Sequence, residues 1–289
     1  SSRSWRLAAA ALRLWPEESP PGVAAYHHGW VHAGNERMLR RLIGEIQPRV
    51  VVELGSWLGL CTSLLLEATR GYGGSVFAVD RWDGAYLLET QRAQYERDVE
   101  ALTLLGAAPR AAGGEEGGVK GGGLSGAASA GDPAIATGGL PLFETFVVNM
   151  WEERTRLFPL RMDTCDGIEA IRALGAPVEL VYVDADHSRD AVSRELAALE
   201  AAFPAALVCG DDWQWPEVRE AVEAHVQARA GMLQLHSHPA ENWWWLQSLR
   251  TSAQGAEAEG QATGTATGLG TAGSASGTPT PRAEDGQRA

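Results

Sequence analysis

Residues 50–59, Val-Val-Val-Glu-Leu-Gly-Ser-Trp-Leu-Gly, constrain this chain more than any other stretch. Three β-branched residues run into an acid, the acid into a glycine turn, and a second glycine follows four residues later. The apolar segment 60–68 comes next and has helical character. Strand, tight turn and helix start in that order mark the place where an α/β sheet grips a nucleotide-like cofactor.

The detail narrows the cofactor. A dinucleotide fingerprint needs a glycine two residues after the first, so that pyrophosphate can approach the backbone. Trp57 occupies that position, and its indole would block a diphosphate. Glu53 adds a negative charge that repels phosphates. A cofactor with a cationic amino-acid end and no phosphate fits better, and S-adenosylmethionine (SAM) is one. The alternative is a strand–helix junction with no ligand.

Composition bounds the rest. The 45% apolar content is ample for a core but is unevenly spread. Residues 106–139 and 251–289 are rich in Gly, Ala, Ser and Thr and poor in large apolar side chains. Such sequence buries too little to offset its ordering entropy, which predicts a disordered insertion and a disordered tail. Residues 27–250 then form one domain around that insertion, preceded by an N-terminal extension, residues 1–26. The net charge of −13 argues against binding to nucleic acid, and no basic stripe offsets it. No apolar run reaches membrane-spanning length. Arg3, Arg6 and Arg13 with no acid before residue 17 suit the tail of an organelle transit peptide, or simply an amphipathic first helix. The expected location is the cytoplasm, with a plastid or mitochondrion as the alternative. Cys61, Cys165 and Cys209 lack metal-ligand spacing and read as reduced core thiols.

Periodicity predicts helices over 35–46, 60–70, 87–105, 141–153, 164–174, 189–203 and 216–229. It predicts strands over 50–54, 75–79, 156–162, 178–183 and 205–209, with 232–236 and 243–246 as a closing antiparallel pair. Alternation of this kind predicts a Rossmann-like, doubly wound, mostly parallel sheet with helices on both faces. Ligands bind such sheets beyond the carboxyl ends of the strands. Those ends carry Glu53 and Gly55, Asp80, Asp163, Asp184 and Asp186, and then Asp211 and Asp212, so every parallel strand ends in acid.

Glu53-Leu54-Gly55-Ser56-Trp57-Leu58-Gly59 and Val79-Asp80 resemble the first two motifs of class I SAM-dependent methyltransferases. Val183-Asp184-Ala185-Asp186-His187, with Gly210-Asp211-Asp212, resembles their metal-dependent O-methyltransferase branch, which includes catechol, caffeoyl-CoA and macrolide-sugar enzymes. The resemblance spans roughly residues 27–246 without the insertion.

It implies cofactor contacts from Glu53 at the methionine end, from Gly55, Ser56 and Gly59 at the turn, from Asp80 at the ribose hydroxyls and from Asp163 near the adenine. Asp163 or Thr164 also suits a helix cap. Family members often place a hydroxyl two residues after Gly59. This chain has Cys61 there, which weakens that contact unless Thr62 substitutes.

Asp184, Asp211 and Asp212 make a hard-oxygen set suited to Mg²⁺ or a similar cation. Asp212 as a turn or cap residue, with Asp184 supporting the cofactor loop, is the other reading. His187 stands three residues after Asp184, placed to take a hydroxyl proton, to be a ligand itself, or simply to begin a helix at the surface. His27, His28 and His32 are candidates for the acceptor pocket. Trp57, Trp82, Trp213 and Trp215 fall near strand ends with Trp30 and Trp151 as covers, for an aromatic-walled pocket or for ordinary core packing.

The expected activity is cation-assisted methylation of a small-molecule hydroxyl with SAM as donor. The alternatives are a metal-independent methyltransferase acting on another atom, and a silent domain that keeps the fold as a binding module.

Overall fold

The computed structural model of the chain describes residues 4–12, 14–23, 25–84, 92–93, 96–97 and 141–249. The insertion at 106–139, the tail at 251–289 and nearly all of the helix expected at 87–105 lie outside the described residues.

Seven strands form one sheet: β1 (Val50–Leu54), β2 (Ser75–Asp80), β3 (Leu157–Arg161), β4 (Leu180–Val183), β5 (Leu207–Gly210), β6 (Leu233–His238) and β7 (Trp243–Ser248). Their order is β3-β2-β1-β4-β5-β7-β6. The first five pair in parallel, whereas β7 pairs antiparallel with both β5 and β6. The closing pair is therefore inserted in reverse, with the last strand against β5 and the earlier one at the edge.

The described helices are α1 (Ser4–Ala11), α2 (Ala33–Ile46), α3 (Leu60–Ala68), α4 (Leu142–Met150), α5 (Thr164–Ala173), α6 (Arg189–Ala202) and α7 (Pro216–Gln227). Expected and observed boundaries differ by up to three residues, mostly at frayed ends.

Why these residues make this sheet is visible in β1. All five are buried, because helices cover both faces and leave no side for water. Val50, Val52 and Leu54 point into one core with α1, α5, α6 and α7. Val51 points into the other, with α2, α3 and α4. Glu53 shares the parity of Val51 and so enters the second face, beneath α3.

The first helix adds an unexpected piece of core. Trp5 is buried, its ring 5.6 Å from those of both Phe77 and Phe158. Residues expected as an extension thus pack on the β2–β3 end of the sheet, as the amphipathic-helix reading requires. Among the described residues no helix is long and apolar enough to cross a membrane.

Candidate active site

The sheet order reverses between β1 and β4, where successive crossovers depart to opposite sides and open a crevice at the strand ends. Gly55 follows β1 there with φ +88°. A Cβ on Gly55 would stand 1.9 Å from the backbone oxygen of Asp184, so only glycine lets the two loops cross. The crossing of two protein loops, rather than close approach of a ligand, is what demands this glycine. Gly59 has φ +91° and its missing Cβ makes room for Met150 of α4, where packing against the strand was expected.

The cofactor-side acids are fully housed. Glu53 is 0% exposed and accepts a hydrogen bond from the Thr62 hydroxyl. Burial pushes its carboxyl up to about 7, against the pull of Thr62 and of nearby Ser56 and Cys61. Its Oε1 and the buried Ser56 hydroxyl have no partner in good hydrogen-bond geometry. The Thr62 hydroxyl, the expected stand-in for the one missing at Cys61, donates to Glu53. Asp80 accepts the backbone N–H groups of Trp57 (2.9 Å) and Trp82 (2.7 Å), and burial still raises its carboxyl. Those bonds hold two tryptophans at φ +47° and +48°, a conformation costly for a residue with a Cβ. Asp163 caps α5 by accepting the Cys165 N–H at 3.0 Å.

At the ends of β4 and β5 the acids crowd instead. Asp184, His187 and Asp212 each bring one ligand atom within 4.8 Å of the others. His187 Nε2 lies 2.6 Å from an Asp212 oxygen and 4.0 Å from Asp184. Burial pulls the imidazole down, but the Asp212 bond and the surrounding negative charge overcome it, leaving its pKa raised. Burial and the charges of Asp211 and Asp212 raise Asp184 well above the carboxylate range, and burial beside Asp212 lifts Asp211 to about 6. A cluster so short of countercharge takes up protons or a cation.

The cluster shares two members, Asp184 and Asp212, with the trio expected to hold a cation. Asp211 stands outside that spacing, and its Oδ1 accepts the Asp212 N–H at 2.6 Å and an Asn242 Nδ2 hydrogen at 3.0 Å. His187 is the third member of the cluster. Asp186 is spent on the turn, accepting the Ser188 N–H at 2.7 Å, and Ser188 caps α6.

A segment ahead of α2 spans both regions. Asn149 of α4 accepts the Tyr26 N–H and donates to the Tyr26 carbonyl, both at 2.9 Å, and donates to the Leu58 carbonyl of the glycine loop at 2.8 Å. Trp57 Nε1 donates to His28 Nδ1 at 3.3 Å, and the Trp30 ring stands 5.9 Å from that of Trp57. His32, farther along, is near enough to Asp211 to act on its charge.

The tryptophans divide. Trp57, Trp82 and Trp213 are core, whereas Trp215 is half-exposed and stacks on His187 at 4.9 Å. Trp151 packs on Trp15, whose indole reaches the Leu157 carbonyl at the start of β3, so it does not cover the strand ends as expected. Cys61 and Cys209 are buried, whereas Cys165 is half-buried.

Sequence reasoning missed Asn149 and Asn242. An asparagine ahead of a Trp-rich strand signals a left-handed turn residue, and Asn242 has φ +62°. Nothing local signals which carboxylates that side chain meets.

A protein-family model described as a methyltransferase domain matches residues 52–213, more than half of the chain. The chain belongs to this methyltransferase family. With the glycine turn, Glu53 and Asp80 in place, it is a SAM-dependent methyltransferase. No curated protein matches it.

Similar solved structures include the O-methyltransferase TomG from Streptomyces achromogenes, involved in tomaymycin synthesis and bound to SAM. It is 14% identical, with 86% of this chain and 90% of that chain covered and a TM-score of 0.44. The O-methyltransferase from Bacillus cereus, in complex with SAH, is 13% identical, with 84% and 87% covered and a TM-score of 0.40. The calicheamicin methyltransferase CalS11 is 14% identical, with 74% and 77% covered and a TM-score of 0.43.

Proposed function

We propose that this methyltransferase transfers the SAM methyl group to a hydroxyl of a small molecule, with a divalent cation at Asp184, His187 and Asp212. The carrying observation is that three-residue cluster, whose ligand atoms lie within 4.8 Å of one another beside the loop that crosses Gly55. Oxygen donors with one imidazole suit Mg²⁺ or Mn²⁺. A bound cation would lower the pKa of the acceptor hydroxyl.

The chain's own groups do the rest. Glu53 and the Ser56 hydroxyl offer unpaired polar atoms for the donor's amino-acid end. Asp80 shapes the loop beneath the ribose and keeps its remaining lone pairs for the hydroxyls. His187 would join Asp184 and Asp212 in holding the cation, the acceptor's proton would pass to solvent as the methyl moves, and the site fixes the reactants in line. The net charge of −13 supports a small-molecule acceptor over nucleic acid.

The 2.6 Å His187–Asp212 pair also supports a second reading, a metal-independent base. One assay separates them: S-adenosylhomocysteine (SAH) release with a panel of phenols and sugar hydroxyls, with EDTA and after Mg²⁺ is restored. Turnover that EDTA abolishes and Mg²⁺ returns is expected. Turnover that survives EDTA overturns the cation's part, and no SAM binding by calorimetry overturns the enzyme in favour of a silent module.

A further inference from the structure

We propose that Asn242, on the hairpin between β6 and β7, is a positioning residue for the cation site. The proposal rests on the cation-assisted reading above. Its side-chain nitrogen donates to Asp211 Oδ1 at 3.0 Å and reaches Asp212 Oδ1 at 3.4 Å. Its side-chain oxygen accepts the Gln214 N–H at 2.8 Å, and its carbonyl accepts the Trp213 N–H at 3.3 Å. All these groups face the loop that carries the two aspartates.

The consequence is geometric. The Asn242 amide engages Oδ1 of both aspartates, that of Asp211 together with the Asp212 N–H, and the other Asp212 oxygen meets His187 at 2.6 Å. An amide does this without countercharge, so the cluster keeps its negative charge for a cation. An arginine or lysine there would neutralise it. Two left-handed residues make the geometry, Asn242 at φ +62° and Asp212 at φ +61°. Asparagine and aspartate are the side chains that tolerate that region best after glycine. The turn Pro239–Glu241 is itself tied to the same loop by Gln214 Nε2, which donates to the Pro239 carbonyl at 2.9 Å. Asn242 thus lies one layer outside the cation, where a hydrogen-bond partner sets ligand orientation and affinity.

Asn242→Gly tests this, because glycine accepts the backbone angle and removes only the amide. Mn²⁺ binding to the full chain is read by electron paramagnetic resonance, without donor or acceptor, and SAH binding by calorimetry. Gln214→Ala loosens the hairpin without touching an aspartate. Asn242→Gly should weaken Mn²⁺ about tenfold or more, while SAH affinity in that variant and Mn²⁺ affinity in Gln214→Ala stay within about twofold of the unaltered chain. Mn²⁺ affinity unchanged in Asn242→Gly overturns the proposal. Equal loss in Gln214→Ala overturns it too, by assigning the effect to hairpin rigidity. An unaltered chain that binds no Mn²⁺ overturns the cation reading itself, and this role with it.

Discussion

Two groups of acids sit on one rim of one sheet and live in opposite surroundings. At the ends of β1 and β2, Glu53 and Asp80 are buried, with Thr62 and two backbone N–H groups aimed at them. At the ends of β4 and β5, Asp184 and Asp212 are partly exposed and face each other, Asp211 and a histidine. The first group is supplied with donors by the fold, so its work is to shape a pocket. The second is supplied mainly with like charge, which makes sense when something positive arrives from outside. The difference teaches that an acid at a strand end is only a position, and that its donors decide its job.

The largest break in this contrast comes from the crowded side. His187→Ala should lower kcat about 10²-fold or more, the scale expected for a lost cation ligand or, in the metal-independent reading, a lost general base, and leave SAH affinity unchanged. Steady-state SAH release and calorimetry check both halves. Equal activity would leave His187 only as a stacking partner of Trp215.

The buried side predicts losses of stability and of cofactor binding together. Asp80→Ala leaves the Trp57 and Trp82 N–H groups buried without an acceptor, at about 1–3 kcal/mol each. Urea unfolding should show a loss on that scale, and SAH affinity should fall by at least about 1 kcal/mol. Full SAH affinity would remove Asp80 from the cofactor site.

Much of this was legible in the chain and some could not be. Three β-branched residues into an acid and a glycine mark β1 and its turn, because strand propensity and glycine's freedom act locally. The caps of α5 and α6 are equally local, since Asp163 and Ser188 bond N–H groups two and three residues on. What stayed hidden is non-local. Asp211 and Asn242 are 31 residues apart and meet because β7 inserts between β5 and β6. Nothing near Asp211 in the sequence announces the Asn242 amide that its carboxylate meets. Trp5 reads as part of an N-terminal extension outside the domain because its partners, Phe77 and Phe158, lie in strands far along the chain.

Glu53 lets the two sides be compared through pH. Its folded pKa of about 7 stands above the ordinary value of 4.5, so the unfolded chain loses this proton first as pH rises. Stability therefore falls from about pH 4.5 to about pH 7 and is level above that, as far as this group is concerned. Glu53→Gln should remove that slope and stabilise the ligand-free protein by about 1–3 kcal/mol at pH 8, with no gain near pH 4. The same change should weaken SAM. Opposite signs in thermal unfolding and in calorimetry would mark Glu53 as a group kept for binding at a cost in stability. A loss in both would make it structural.

The smallest effect is expected at the outer edge of the crowded side. Arg37 of α2 meets Glu241 of the hairpin turn at 2.6 Å, but 63% of the arginine side chain is in water. An exposed pair of this kind contributes little and is screened by salt. Arg37→Ala should leave the urea unfolding midpoint and turnover unchanged, because Asn242 reaches the aspartates through its own amide rather than through this ion pair. A large fall in turnover would show the opposite, that docking of the hairpin on α2 sets the carboxylates, and would move the control of the site from one amide to the whole turn.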